Sequence, residues 1–164
     1  LEHLGYGLVF SAAVASLCAG AGFPGKLFFG WVSDKASIKL CMICVIAAQF
    51  AGQLLMYLSE TTGLFVVGAT IFGFGVGGVV PMQGAIVGRT FGRSSFGSVL
   101  GIMRPAMFPI QILGVPFAGL VFDEFGSYDI AFRVFLLLYL VAIVSICFYK
   151  RPVEKISDMY LEAK

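Results

Sequence analysis

The sequence predicts an all-α membrane protein with about five transmembrane helices, and three observations carry that reading. Composition is the first: 59% of the 164 residues are hydrophobic and only 12% are charged, with a mean hydropathy of +0.97. Such a chain cannot cover a surface facing water, since soluble domains keep about a quarter of their residues charged. The second is spacing. Charges and turn residues fall as punctuation between apolar runs of roughly 20 residues, the length needed to cross about 30 Å of hydrocarbon. The third is that Lys and Arg collect on alternate connections.

The spans follow in order. The first is expected over about 8–32, stopping at Ser33, Asp34 and Lys35, and the second over about 38–58, stopping at Ser59 and Glu60. The third is expected over about 64–87, the fourth over about 96–122 and the fifth over about 130–149. Lys35 and Lys39 follow the first span, Arg89 and Arg93 the third, and Lys150, Arg151 and Lys155 the fifth. The alternate connections hold Glu60, then Asp123, Glu124 and Asp129 against Arg133 alone. Because cytoplasmic connections carry the excess of Lys and Arg, residues 1–7 read as an extracytoplasmic loop and 150–164 as a cytoplasmic tail. Pro152 blocks simple continuation of the last helix into that tail. Leu1 to Gly7 is neither a signal peptide nor a basic flank, so the chain reads as a fragment entered mid-protein.

The stretch "IFGFGVGG", Ile71 to Gly78, formally contains the G-x-G-x-x-G of a dinucleotide site at Gly73, Gly75 and Gly78. Helical geometry argues against it. At about 100° per residue, Gly75 and Gly78 point roughly 200° and 140° away from Gly73, so no cradle forms. The preceding strand and the acidic residue about 20 positions on are also missing. By the same count Gly77, Gly84 and Gly88 return to within roughly 60° of Gly73. That stripe of small residues is the kind that lets transmembrane helices approach closely; Ala12, Ser16 and Gly20 repeat the pattern in the first span.

Other chemistry is sparse. Cys41 and Cys44 form a C-x-x-C at the start of an apolar helix, without the second ligand pair or βαβ setting that zinc or thioredoxin chemistry needs. Cys18 and Cys147 stand singly, and His3 has no visible partner. No metal-ligand cluster, nucleophile with a base or paired carboxylates occur within the spans, so neither an enzyme nor a cofactor or metal site is expected.

Two cations do lie inside apolar spans. Lys26 falls about 12 Å inward of Asp34 and Arg104 about 16 Å inward of Arg93, at 1.5 Å rise per residue. Each costs about 2.5 to 3.5 kcal/mol near the bilayer centre, and so calls for a partner or a function. The spans contain no acidic residue between their ends. Snorkelling of the Lys26 stem to the interface remains open, as does capping by Arg104 of carbonyls freed by Pro105 or Pro109. The other possibility is that a substrate supplies the missing anion. Gln111 lies two turns beyond Arg104 on the same face, and Gln83, Gln49 and Gln53 add amides in the third and second spans. Pro105, Pro109 and Pro116 predict kinks in the fourth span, whose freed carbonyls need neighbours or water, as in helices around transport pathways.

The stretch "GKLFFGWVSDKASIK", Gly25 to Lys39, resembles the loop signature of the major facilitator superfamily, with Gly30, Asp34, Lys35 and Lys39 in matching places. Ser37 and Ile38 stand where that pattern prefers Gly and a basic residue, as in the weaker second copy between helices eight and nine of these carriers. "GLVFDEFGSYDIAFRVF", Gly119 to Phe135, is similar to the junction before their last helix. The resemblance implies helices eight to twelve, a partial C-terminal six-helix bundle of a twelve-helix carrier. It also implies that Asp34 helps lock one face closed against the missing N-terminal bundle. Lys26 stands where monocarboxylate and oxalate/formate carriers have a substrate-contacting Arg, and Arg104 on the helix where the latter type also has a cation.

The expectation is therefore a secondary transporter in a plasma or inner membrane, working by alternating access on a small solute, a mono- or dicarboxylate. Lys26, Arg104, Gln111 and Gln83 would bind it. Gly30, Asp34, Lys35 and Lys39 would gate, and Gly73, Gly77, Gly84 and Gly88 would pack helices. The expected partners are the solute, the lipid bilayer and the N-terminal bundle, with no nucleic acid. The alternative is a non-transporting membrane subunit whose Lys26 and Arg104 pair with acids of a partner.

Overall fold

A computed structural model describes residues 7–148 as five helices long and apolar enough to cross a membrane. They are α1 (Leu8–Lys35), α2 (Ile38–Tyr57), α3 (Thr62–Gly92), α4 (Ser94–Phe125) and α5 (Asp129–Phe148). No strand occurs among the described residues. The chain is an all-α integral membrane protein. The expected 150–164 tail, His3 and all of the 1–7 loop except Gly7 lie outside the described residues.

The helix ends follow from local chemistry. Ser37 caps α2, its hydroxyl accepting from Leu40 N–H at 3.2 Å, and Thr61 caps α3, accepting from Leu64 N–H at 3.4 Å. Each satisfies one amide that the first turn leaves without a partner. Gly126 ends α4 in the left-handed conformation, φ 66° and ψ 11°, where glycine carries no Cβ penalty.

Three of the helices, α1, α3 and α4, run longer than the apolar spans. The sequence reading stops the first span at residue 32, yet α1 continues through Ser33, Asp34 and Lys35, leaving only Ala36 and Ser37 before α2. Between the third and fourth spans, a connection over 88–95 was expected; instead, a single helical run, Thr62–Phe125, is interrupted at Gly92 alone, with φ 73° and ψ 179°. Hydropathy locates the edge of the hydrocarbon, whereas a helix ends only where a residue breaks it, and Asp, Lys and Arg do not. Pro105, Pro109 and Pro116 lie inside α4 with helical dihedrals around them, so the break falls at glycine rather than proline.

α3 is the central element: α1 and α2 both pack along it, and α2 also packs against α5. Lipid tails are as apolar as leucine, so burial alone does not drive this association; close van der Waals approach does. The α1–α3 seam shows how. A Cβ added at Gly73 would fall on the Cys18 carbonyl oxygen, one at Gly77 on that of Gly22, and one at Gly25 on that of Phe74. The partners keep a near-constant offset, so α1 and α3 run parallel. On the α2 side, a Cβ at Gly75 would sit 2.8 Å from Gln49 Cγ, while one at Gly78 would meet both Phe29 Cδ2 of α1 at 2.5 Å and Val45 Cγ2 of α2 at 2.7 Å. Phe29, Cys41, Val45 and Met82 form the core where the three helices meet, with Phe74 packed against it.

α2 and α5 are joined by polar ties along their whole length. Lys39 Nζ donates to the Cys147 carbonyl at 2.6 Å, Tyr139 Oη to Gln49 Oε1 at 3.4 Å, and Arg133 Nε to Tyr57 Oη at 2.8 Å. Early residues of one helix meet late residues of the other, the mark of an antiparallel pair. α4 is held least, with Val121 its only buried residue.

Candidate functional site

Lys26 stands at the closest approach of two backbones. Gly22, Gly25, Phe29 and Ser33 form the buried face of α1, and Lys26 follows Gly25 by one residue, about 100° round the helix. Glycine at 25 and 77 thus brings α3 against α1 at this level, while the ammonium of Lys26 stays exposed beside the seam. Rings of Phe28, Phe29 and Phe74 pack below it, with centroids 5.3 to 5.6 Å apart.

Arg104 is exposed on α4. Neither it nor Lys26 has a hydrogen-bonding or ion-pairing partner among the described residues, and the acidic residues there lie only at helix ends and connections. Gln83 is half-buried on α3, its amide nitrogen 3.8 Å from Met107 Sδ, a weak acceptor. Met107 stands one turn from both Arg104 and Gln111, so the structure brings Gln83 to the helix carrying those two. Gln111 lines an open hollow between α4 and α5 with Gly114, Tyr128 and Phe135. Lys26 belongs to the α1–α3 seam, and no hydrogen bond among the described residues joins it to the other three.

The signature residues gather at one end of the bundle. Gly30 faces Pro81, a Cβ there lying 3.9 Å from Pro81 Cβ. Lys35 stacks its ammonium 4.1 Å above the Trp31 ring, Lys39 is engaged with Cys147 of α5, and Asp34 is exposed without a cation partner among the described residues. Arg89 of α3 donates to the Ser33 carbonyl at the end of α1. The sequence predicts only a charged connection around Arg89, and its tie to α1 arises because α3 continues past the apolar run. Of the predicted stripe, Gly73 and Gly77 lie against α1, whereas Gly84 and Gly88 lie beside the Phe96 ring of α4, 4.0 and 3.7 Å from a built Cβ. Gly75, outside the predicted packing stripe, faces α2, and Gly78, also outside it, sits between Phe29 of α1 and Val45 of α2. No group of three or more His, Cys, Asp or Glu arranged to hold a metal occurs among the described residues.

Five apolar helices tied through glycine seams, with unneutralised cations beside them, define a multi-pass α-helical protein of the membrane. The family model of the Major Facilitator Superfamily matches residues 1–158, and the chain belongs to that superfamily. Among curated relatives, it is 29% identical over 126 residues to monocarboxylate transporter 12 of Xenopus laevis, covering 74% of this chain and 27% of the relative. It is 30% identical over 131 residues to low affinity inorganic phosphate transporter 4 of Petunia hybrida, covering 74% and 22%. Monocarboxylate transporter 10 of Homo sapiens is 28% identical over 123 residues, covering 73% and 24%. The chain thus spans about a quarter of the length of the curated relatives it matches. No solved structure matches it.

Proposed function

We propose that this chain forms part of the C-terminal bundle of a secondary active transporter that moves a small organic anion, a mono- or dicarboxylate, by alternating access against an N-terminal bundle. The observation that carries the reading is the pair Lys26 and Arg104. Both lie within apolar helices, both are exposed, and neither has a carboxylate partner among the described residues. Lys26 and Arg104 lie in separate seams, and on this reading both come to contact one anion during the transport cycle, which offsets an insertion cost of about 2.5 to 3.5 kcal/mol for each cation. Arg104 contributes a planar fork matched to a carboxylate, Lys26 a compact charge.

Gln111 and Gln83 then hydrogen-bond the solute. The Gln83 amide faces only a thioether, and exchanging that contact for a carboxylate oxygen replaces a weak hydrogen bond with a charge-assisted one. Gly30, Asp34, Lys35 and Lys39 gate the cytoplasmic face, with the exposed Asp34 pairing across to the other bundle. The glycines at 73, 77, 84 and 88 supply the flat surfaces on which helices shift.

Inorganic phosphate is a second reading, favoured by the petunia relative. The same fork and ammonium suit either anion. The test is uptake of radiolabelled pyruvate, oxalate and phosphate by vesicles reconstituted with the full-length polypeptide that contains this chain. Lys26→Gln with Arg104→Gln is expected to abolish uptake of the preferred anion at unchanged protein level. Unchanged uptake rejects the anion site, and preference for phosphate selects the second reading.

A further inference from the structure

We propose that the cavity between α2, α3 and α4 is a binding site for an uncharged hydrocarbon chain, filled in the membrane by a lipid acyl tail. Its volume is about 250 Å³, and its walls include Met42 and Val45 of α2, Met82 and Val87 of α3, and Met103 and Met107 of α4. The only polar side chain on the lining is Gln83, whose amide nitrogen turns to the Met107 sulfur. Water is a poor occupant, because a buried water needs about two to four polar partners. A carboxylate is worse, since the lining offers it no cation.

Vacancy is costly as well, because wall atoms facing a void lose their dispersion contacts. A dry apolar cavity of roughly 150 Å³ is enough to hold a benzene ring, so this one admits a length of chain. A helix, about 10 Å across with its side chains, does not fit. Five apolar helices place the cavity among acyl chains, which makes a lipid tail the occupant at hand. Met103 and Met107 are unbranched and adapt to its contour. α4 gains most: with Val121 its only buried residue, it has few contacts of its own to hold it against α2 and α3. The site uses neither Lys26 nor Arg104 and shares only Gln83 and its neighbour Met107 with the proposed anion site, so the labelling test does not depend on anion uptake.

The test uses the full-length polypeptide in phosphatidylcholine vesicles carrying a diazirine midway along one acyl chain, photolysed and mapped by peptide mass spectrometry. Label is expected on Met82 and Val87, which are buried and face the cavity. It is expected to fall severalfold in Ile46→Phe or Met103→Trp, while label on the exposed Ile110 persists. Label confined to exposed residues, as when another segment of the chain fills the cavity, overturns the proposal. So does cavity label that neither filling variant reduces. Should both variants fail to fold, the wild-type distribution decides alone.

Discussion

At Gly77 the α1–α3 seam depends on the absence of a single carbon. A Cβ there would fall on the Gly22 carbonyl oxygen, which belongs to backbone and cannot swing aside. Gly77→Ala is therefore expected to destabilise the folded protein by about 1 to 3 kcal/mol, the range for overpacking. Gly20→Ala serves as the control, because nothing lies within 4 Å of its built Cβ. Thermal melting of the purified full-length polypeptide in detergent should show a lowered midpoint for the first variant and none for the second; equal melting would mean that the seam is looser than described. At this scale the sequence was only partly legible. A 3.6-residue period picks out Gly73 and Gly77 as one stripe, and an isolated charge in an apolar run picks out Lys26 and Arg104. What it does not reveal is the neighbour: Gly75 and Gly78 fall off the stripe, yet the first faces α2 and the second sits between α1 and α2, because α3 is central and has partners on more than one side.

The elements themselves were legible in number, type and order, because each apolar run of about 20 residues has few alternatives in hydrocarbon. Their ends were not. The helical run from Thr62 to Phe125 crosses what reads as a charged connection, since Arg89 and its neighbours are tolerated in a helix that has left the apolar layer. The break is set by Gly92, whose φ of 73° and ψ of 179° lie in a region essentially reserved for glycine. Gly92→Ala is expected to cost about 1 to 3 kcal/mol through backbone strain alone. Gly97→Ala, within the following helix, should hold or slightly raise the midpoint, since nothing lies within 4 Å of a Cβ at either position and alanine is the better helix former. Melting curves of the two variants decide it, and matching curves would remove strain at Gly92 as the cause. The polar ties from Lys39, Gln49 and Tyr57 to α5 were equally beyond reach of the sequence, because they join residues far apart in the chain.

At the scale of the whole molecule, α1 and α2 are bound to α3, and α5 to α2, whereas α4 lies loosely over an apolar cavity with Arg104 exposed. The bundle is thus firm where glycines and polar ties meet, with Lys26 beside the tightest seam, and open along the helix that carries Arg104. The chain spans about a quarter of the length of its curated relatives, and on the proposed reading the surface bearing Lys26 and Arg104 faces a solute and a second bundle. The most direct measurement of that claim is counterflow in vesicles reconstituted with the full-length polypeptide. Entry of labelled pyruvate is followed with unlabelled pyruvate, or its neutral analogue pyruvamide, held inside. Alternating access on an anion predicts that internal pyruvate accelerates entry and that pyruvamide does not. Equal acceleration by the neutral amide, or none by either solute or by phosphate, would contradict the account.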